Sequence, residues 1–194
     1  MTDGHAMTEP DMYGLVNQGV QTFISNAHGA ADWQDICARA GLSDTDFEGM
    51  LVYPDDITYK IVGAVSEKYD LPATEVLRLF GDFWVDFSHK TPIGTLLRFG
   101  GETLLERLDT LNEMHERIKM SMPHLSPPVF EFEDMGDGTY KLHYASDREG
   151  LEHMVIGLVE GLGRETGQSV TIRQDPEPAY DGFRASFTLE LATD

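Results

Sequence analysis

Three prolines, Pro123, Pro127 and Pro128, divide this chain into parts that cannot share one kind of secondary structure. Proline has no amide hydrogen and restricts the residue before it, so a helical pattern that reaches Met122 has to stop there. Ahead of the prolines, apolar side chains recur every three or four residues. Beyond them Phe130 alternates with Phe132, and Tyr140 with Leu142 and Tyr144. The first period belongs to a helix with one buried face, the second to a strand with one buried face. An α+β fold is therefore expected: an N-terminal helical part, then helices packed on a mainly antiparallel sheet.

From Gly14, residues Leu15, Val16, Val20, Phe23 and Ile24 keep helical spacing, and Trp33, Ile36, Cys37 and Ala40 do so again before Gly41. Spans 55–68 and 73–87, separated by Asp70-Leu71-Pro72, predict two more helices, so the first part should be helix throughout. The longest pattern covers 102–122, where Leu104, Leu108, Leu111, His115, Ile118 and Met122 lie on one stripe and predict a single helix. Gly136-Asp137-Gly138 marks a hairpin turn between the two alternating runs. A further helix over 149–162 should end at the glycines Gly161, Gly163 and Gly167, and strands over 170–173 and 183–191 complete the order. Residues 1–11 are expected to be a disordered extension and 12–194 a single domain, with no internal repeat.

Composition removes several classes of function. With 194 residues, 41% of them hydrophobic, the chain can bury one sizeable core. Its net charge of −20 opposes binding to nucleic acid or anionic lipid. A single cysteine, Cys37, excludes an internal disulfide and a zinc site of several thiolates. No run approaches the roughly 18 apolar residues of a membrane span, and no signal segment opens the chain. A cytoplasmic protein without nucleic-acid or membrane partners is the expectation.

In an extended segment, alternate side chains share a face, so Tyr144, Ser146 and Arg148 would present two hydroxyls and a guanidinium together. That is a cradle for carboxylates. An imidazole on an apolar wall, His115, adds an axial ligand for a metal macrocycle carrying two carboxylates, and the candidate is haem. Taken alone, His115 is more often a core histidine, and Ser146 more simply a helix cap. The remaining histidines, His5, His28, His89, His124, His143 and His153, have poorer surroundings for ligation. His115-Glu116 does not open a zinc-protease signature, because position 119 is Lys. The glycines of 161–167 close a helix instead of following a strand, which argues against a nucleotide loop.

These residues resemble the H-NOX (haem nitric oxide/oxygen binding) family over 12–191. The marks are Met12-Tyr13-Gly14, Leu111-x-x-x-His115, Pro128 and Tyr144-x-Ser146-x-Arg148. The resemblance implies haem b on His115 as proximal ligand, propionates held by Tyr144, Ser146 and Arg148, and Pro128 pressing the porphyrin out of plane. It further implies that nitric oxide weakens the bond from iron to His115 and so shifts the N-terminal helices against the remainder.

Oxygen-holding members carry a distal tyrosine just before an apolar-apolar-glycine run. Here that run is Val155-Ile156-Gly157, which aligns Met154, while an ungapped count from Tyr144 selects His153. Met154 lies on the Leu151, Leu158, Leu162 stripe and is preferred. With Trp84, Val16, Val20 and Leu158 it would form an apolar distal pocket. The reading is a stand-alone sensor, not an enzyme, that binds nitric oxide and carbon monoxide and signals to a separate histidine kinase or diguanylate cyclase. The alternatives are an oxygen sensor or a haem enzyme using His153 or Trp84 on the distal side, and a haem-free helical interaction module.

Overall fold

The computed structural model describes residues 11–43, 45–91, 93–94 and 100–192. Its order is β1 (Asp11–Tyr13), α1 (Gly14–His28), α2 (Ala30–Arg39), β2 (Val52–Pro54), α3 (Asp55–Tyr69) and α4 (Ala73–Ser88) in the first part. Then come α5 (Leu104–Asp109), α6 (Leu111–Ser121), β3 (Val129–Asp134), β4 (Thr139–Ala145), α7 (Glu152–Thr166), β5 (Val170–Gln174) and β6 (Ala185–Leu191). The α+β class is as expected. No described helix is long and apolar enough to cross a membrane.

Helices α1 to α4 enclose one core around Ile24, Ile36, Ile61, Val65 and Phe80. The second core lies under an antiparallel sheet of order β3-β4-β6-β5, where Leu142, Phe187 and Leu189 meet Val159 of α7 and Leu104 and Leu108 of α5. The two cores join where α4 crosses α7. There the backbones touch: a Cβ on Gly157 would stand 1.8 Å from the carbonyl oxygen of Arg78, and one on Gly81 2.2 Å from that of Met154. Ion pairs from Arg78 to Glu160 and from Arg164 to Asp82 and Asp86 flank this seam.

Four expectations need correction. The first part is not helix throughout, because β1 and β2 form an antiparallel ribbon pairing Met12 with Tyr53. Strands this short bury too few residues to show a period of two. The expected extension over 1–11 ends earlier, since Asp11 already pairs with Pro54; residues 1–10 lie outside the described residues. The helix expected over 102–122 starts instead at Leu104, after a capping box between Thr103 and Glu106, and breaks at Thr110. The Thr110 hydroxyl donates to the carbonyls of Gly100, at 2.7 Å, and Glu106, at 2.9 Å. Such back-bonding competes with helix continuation, so Leu104 and Leu108 stay in the sheet core while α6 is re-aimed. Helix α7 spans Glu152–Thr166, and Gly161 and Gly163 lie inside it. Only Gly167, at φ 71, ends it, in the left-handed conformation that glycine adopts without strain.

Candidate functional site

Helix α6 is fixed to the edge of the sheet by Asn112, one turn before His115. Its side-chain nitrogen donates to the Phe130 carbonyl at 2.6 Å, and its oxygen accepts from the Phe130 amide at 3.0 Å. An amide side chain thus replaces the missing neighbour strand of β3. His115 consequently stacks on Phe130, with centroids 6.1 Å apart and an interplanar angle of 29°. Burial pushes its pKa down to about 4, while the nearby Pro128 backbone and the charge of Glu116 pull the other way. The ring is neutral near pH 7. Its Nδ1 is buried and has no hydrogen-bond partner, and buried polar atoms are seldom left so without a function to explain them.

His115 opens on a cavity of about 280 Å³ between α6, the end of β4, α4 and α7. Pro128, Tyr144, Ser146, Arg148, Met154, Trp84, Val16 and Leu158 also line it. Val20 does not: it is buried in the helical core. One turn beyond Val16, it points between the helices instead of out of them. His153 is also absent from the lining, while Met154, one residue on, is present. The residue on the helical stripe is thus the one on the cavity.

The cradle is assembled differently from the sequence argument. Only Tyr144 lies in β4, opposite Phe130, and is almost fully buried. Burial pushes its phenol pKa up, opposed by a hydrogen bond with Ser146. Ser146 and Arg148 lie beyond the strand, in a turn closed by the Arg148 amide donating to Ser146 Oγ at 3.1 Å. Arg184 clamps that turn through the carbonyls of Ser146 and Asp147. Tyr144 reaches the cavity from the strand, and Ser146 and Arg148 from this turn, so strand alternation does not gather the three.

Arg148 carries a contact that sequence reasoning missed. Its Nε donates to Asp55 Oδ2 at 2.9 Å, with 11% and 7% of the two side chains exposed, and Nη1 donates to the Ser126 carbonyl at 2.6 Å. Asp55 opens α3, so this buried pair joins the N-terminal helices to the cradle. In the sequence Asp55 looks like an ordinary first-turn acid. Asn112 had a weak signal, its position one turn before His115.

The donor set fits haem. Among the described residues no three His, Cys, Asp or Glu side chains gather to hold a bare ion. Of the two imidazoles on the lining, His89 is engaged with Glu165 at 2.9 Å, so His115 is the one that would bind a metal bringing its own equatorial ligands. The walls are apolar, and hydroxyls and a guanidinium stand together at one end. Cys37 packs in the helical core, away from the cavity, so no thiol stands ready for covalent attachment.

A family model described as Haem-NO-binding matches residues 13–174. The chain belongs to the H-NOX family. H-NOX domains bind haem and act as gas-sensing domains. An H-NOX protein from S. oneidensis in the Fe(II)NO ligation state has the same fold, at TM-score 0.83 and 17% identity, over 94% of this chain and 100% of that one. The unliganded Fe(II) H-NOX protein from K. algicida gives TM-score 0.80 and 16% identity over 94% and 98%. The soluble guanylate cyclase gcy-31 of Caenorhabditis elegans is 27% identical over 83% of this chain and 23% of its own. The H-NOX chain thus spans about a quarter of the length of such curated relatives.

Proposed function

We propose that this H-NOX domain is a receptor in which haem b on His115 binds nitric oxide and carbon monoxide, holds no stable oxygen, and reports to a separate effector protein. One observation carries the reading: a neutral, buried imidazole with an unpartnered nitrogen opens on an apolar cavity that has Tyr144, Ser146 and Arg148 at one end. When bound, haem supplies a ferrous iron with a coordination position for a diatomic gas. Tyr144 and Ser146 offer hydroxyl donors to its propionates, and Arg148 offers a guanidinium whose five-donor fork can serve Asp55 and a propionate together. Pro128 lines the cavity near His115 and would press on the macrocycle.

Val16, Met154 and Leu158 carry no N–H or O–H, so the wall opposite withholds the hydrogen bond that a bound oxygen needs and nitric oxide does not. Trp84 is the one wall residue of this group with an N–H. His153 does not line the cavity, so the acid–base role it would have in a haem enzyme finds no support. Helix α6 would carry the output. Ile118 and Met122 pack on Tyr13 of β1, and the Tyr13 hydroxyl accepts from the His124 amide at 3.2 Å. A displacement of His115 along α6 would therefore be delivered to β1 and α1, a two-state element of the kind that gas binding can bias.

The test is the absorption spectrum of the reduced protein under nitric oxide, under carbon monoxide and in air. A Soret band that shifts with the first two gases, with no oxy spectrum in air, is expected. His115→Gly should lose histidine ligation and regain it with added imidazole. Absence of a Soret band, a wild-type ferrous spectrum in His115→Gly without imidazole, or a stable oxy spectrum would each overturn the corresponding part.

A further inference from the structure

A second cavity, of about 150 Å³, lies inside the N-terminal helices, between Phe23, Ile24 and His28 of α1, Val65 and Tyr69 of α3, and Val76 and Leu79 of α4. It is distinct from the large cavity and shares no lining residue with it. A cavity of about this size has room for a benzene-sized molecule. Three lining residues, Ala27, His28 and Leu71, are also exposed, so they form the mouth.

The mouth is held open by polar contacts. The Tyr69 hydroxyl donates to Asp32 at 2.6 Å, and Lys68 Nζ, 3.3 Å away, braces the same carboxylate. His28 stacks on Tyr69 with centroids 4.3 Å apart. Leu71 is tied back to α3, its amide donating to the Ser66 carbonyl and its carbonyl accepting from the Ser66 hydroxyl. An apolar pocket with fixed walls and one imidazole at its rim suits a flat neutral molecule with a polar edge.

The cavity is also connected to the first. Phe23, in its wall, meets Phe80 at 6.1 Å between centroids, and Phe80 meets Trp84 at 5.8 Å. Trp84 lines the large cavity. We propose that the small cavity is a second ligand site, for a neutral aromatic molecule between benzene and indole in size, and that its occupancy is relayed to the large cavity through Phe23, Phe80 and Trp84.

Indole titrated into the protein as purified, followed by NMR, tests both parts without reference to the gas chemistry. Saturable binding with intermolecular contacts to the methyls of Val65, Val76 and Leu79 is expected, together with a shift of the Trp84 indole N–H resonance. Leu79→Phe fills the cavity from within, and Ala27→Phe fills it from the exposed lining of α1. Either variant, folded with unchanged melting temperature, should weaken indole binding roughly tenfold or more. No saturable binding, contacts only to Leu111 and Leu158 of the large cavity, or wild-type affinity in a folded filler variant would overturn the site. Binding that leaves the Trp84 resonance unmoved would overturn the relay.

Discussion

His115 should make the haem-free protein sensitive to acid in a range where most side chains do not titrate. In the unfolded chain its pKa is the ordinary histidine value of about 6.5, and in the fold burial holds it at about 4. Between these values the unfolded chain takes up a proton that the folded protein refuses, so stability rises with pH across the window and is lost as pH falls through it. From about pH 7.5 to about pH 4.5, the separation of the two pKa values gives a loss of about 2.5 kcal/mol as a ceiling. Water reaching the ring through the haem-free cavity would screen part of this, so a loss of about 1 to 2.5 kcal/mol is expected. Urea unfolding of the wild-type protein and His115→Leu across that range measures it. Carboxylates that titrate at the lower end are common to both proteins and cancel in the difference. A stability difference between the two that stays constant with pH, within about 0.5 kcal/mol, would refute the claim that His115 is buried neutral.

Arg148→Ala should speed haem transfer to an acceptor apoprotein more than Ser146→Ala, since charged hydrogen bonds contribute about 1.5 to 3 kcal/mol against about 1 for neutral ones. Asp55→Asn breaks a buried ion pair and should cost about 3 kcal/mol of stability in urea unfolding while also speeding haem transfer; equal rates in wild type and all three variants would remove the cradle. Gly157→Ala places a methyl against the Arg78 carbonyl and should destabilise the seam between α4 and α7 by about 1 to 3 kcal/mol, read as a lower melting temperature.

The two periods of apolar residues determined the α+β class, the hairpin of β3 and β4 and the inward face of α6, because burial of one face is written locally in every third, fourth or second residue. The same logic put His115 on a buried stripe, and the stripe of α7 placed Met154, and not His153, on the cavity. Proline and glycine were less decisive. Gly161 and Gly163 read as a helix stop, yet they lie within α7: Gly161 shares with Gly157 the face that meets α4, and Gly163 faces the Gln168 carbonyl, contacts that only the folded chain reveals. The break at Thr110 likewise depends on the Gly100 carbonyl that its hydroxyl reaches. Tyr144, Ser146 and Arg148 were visible as a group, but the turn that gathers them rests on Arg184, which is remote in sequence. Asp55 gave no sequence signal and Asn112 only its place one turn before His115, for one reason. A lone acid or amide carries no periodicity, and its role is set by a partner that only the folded chain brings within hydrogen-bonding distance: Arg148 for Asp55, the open edge of β3 for Asn112.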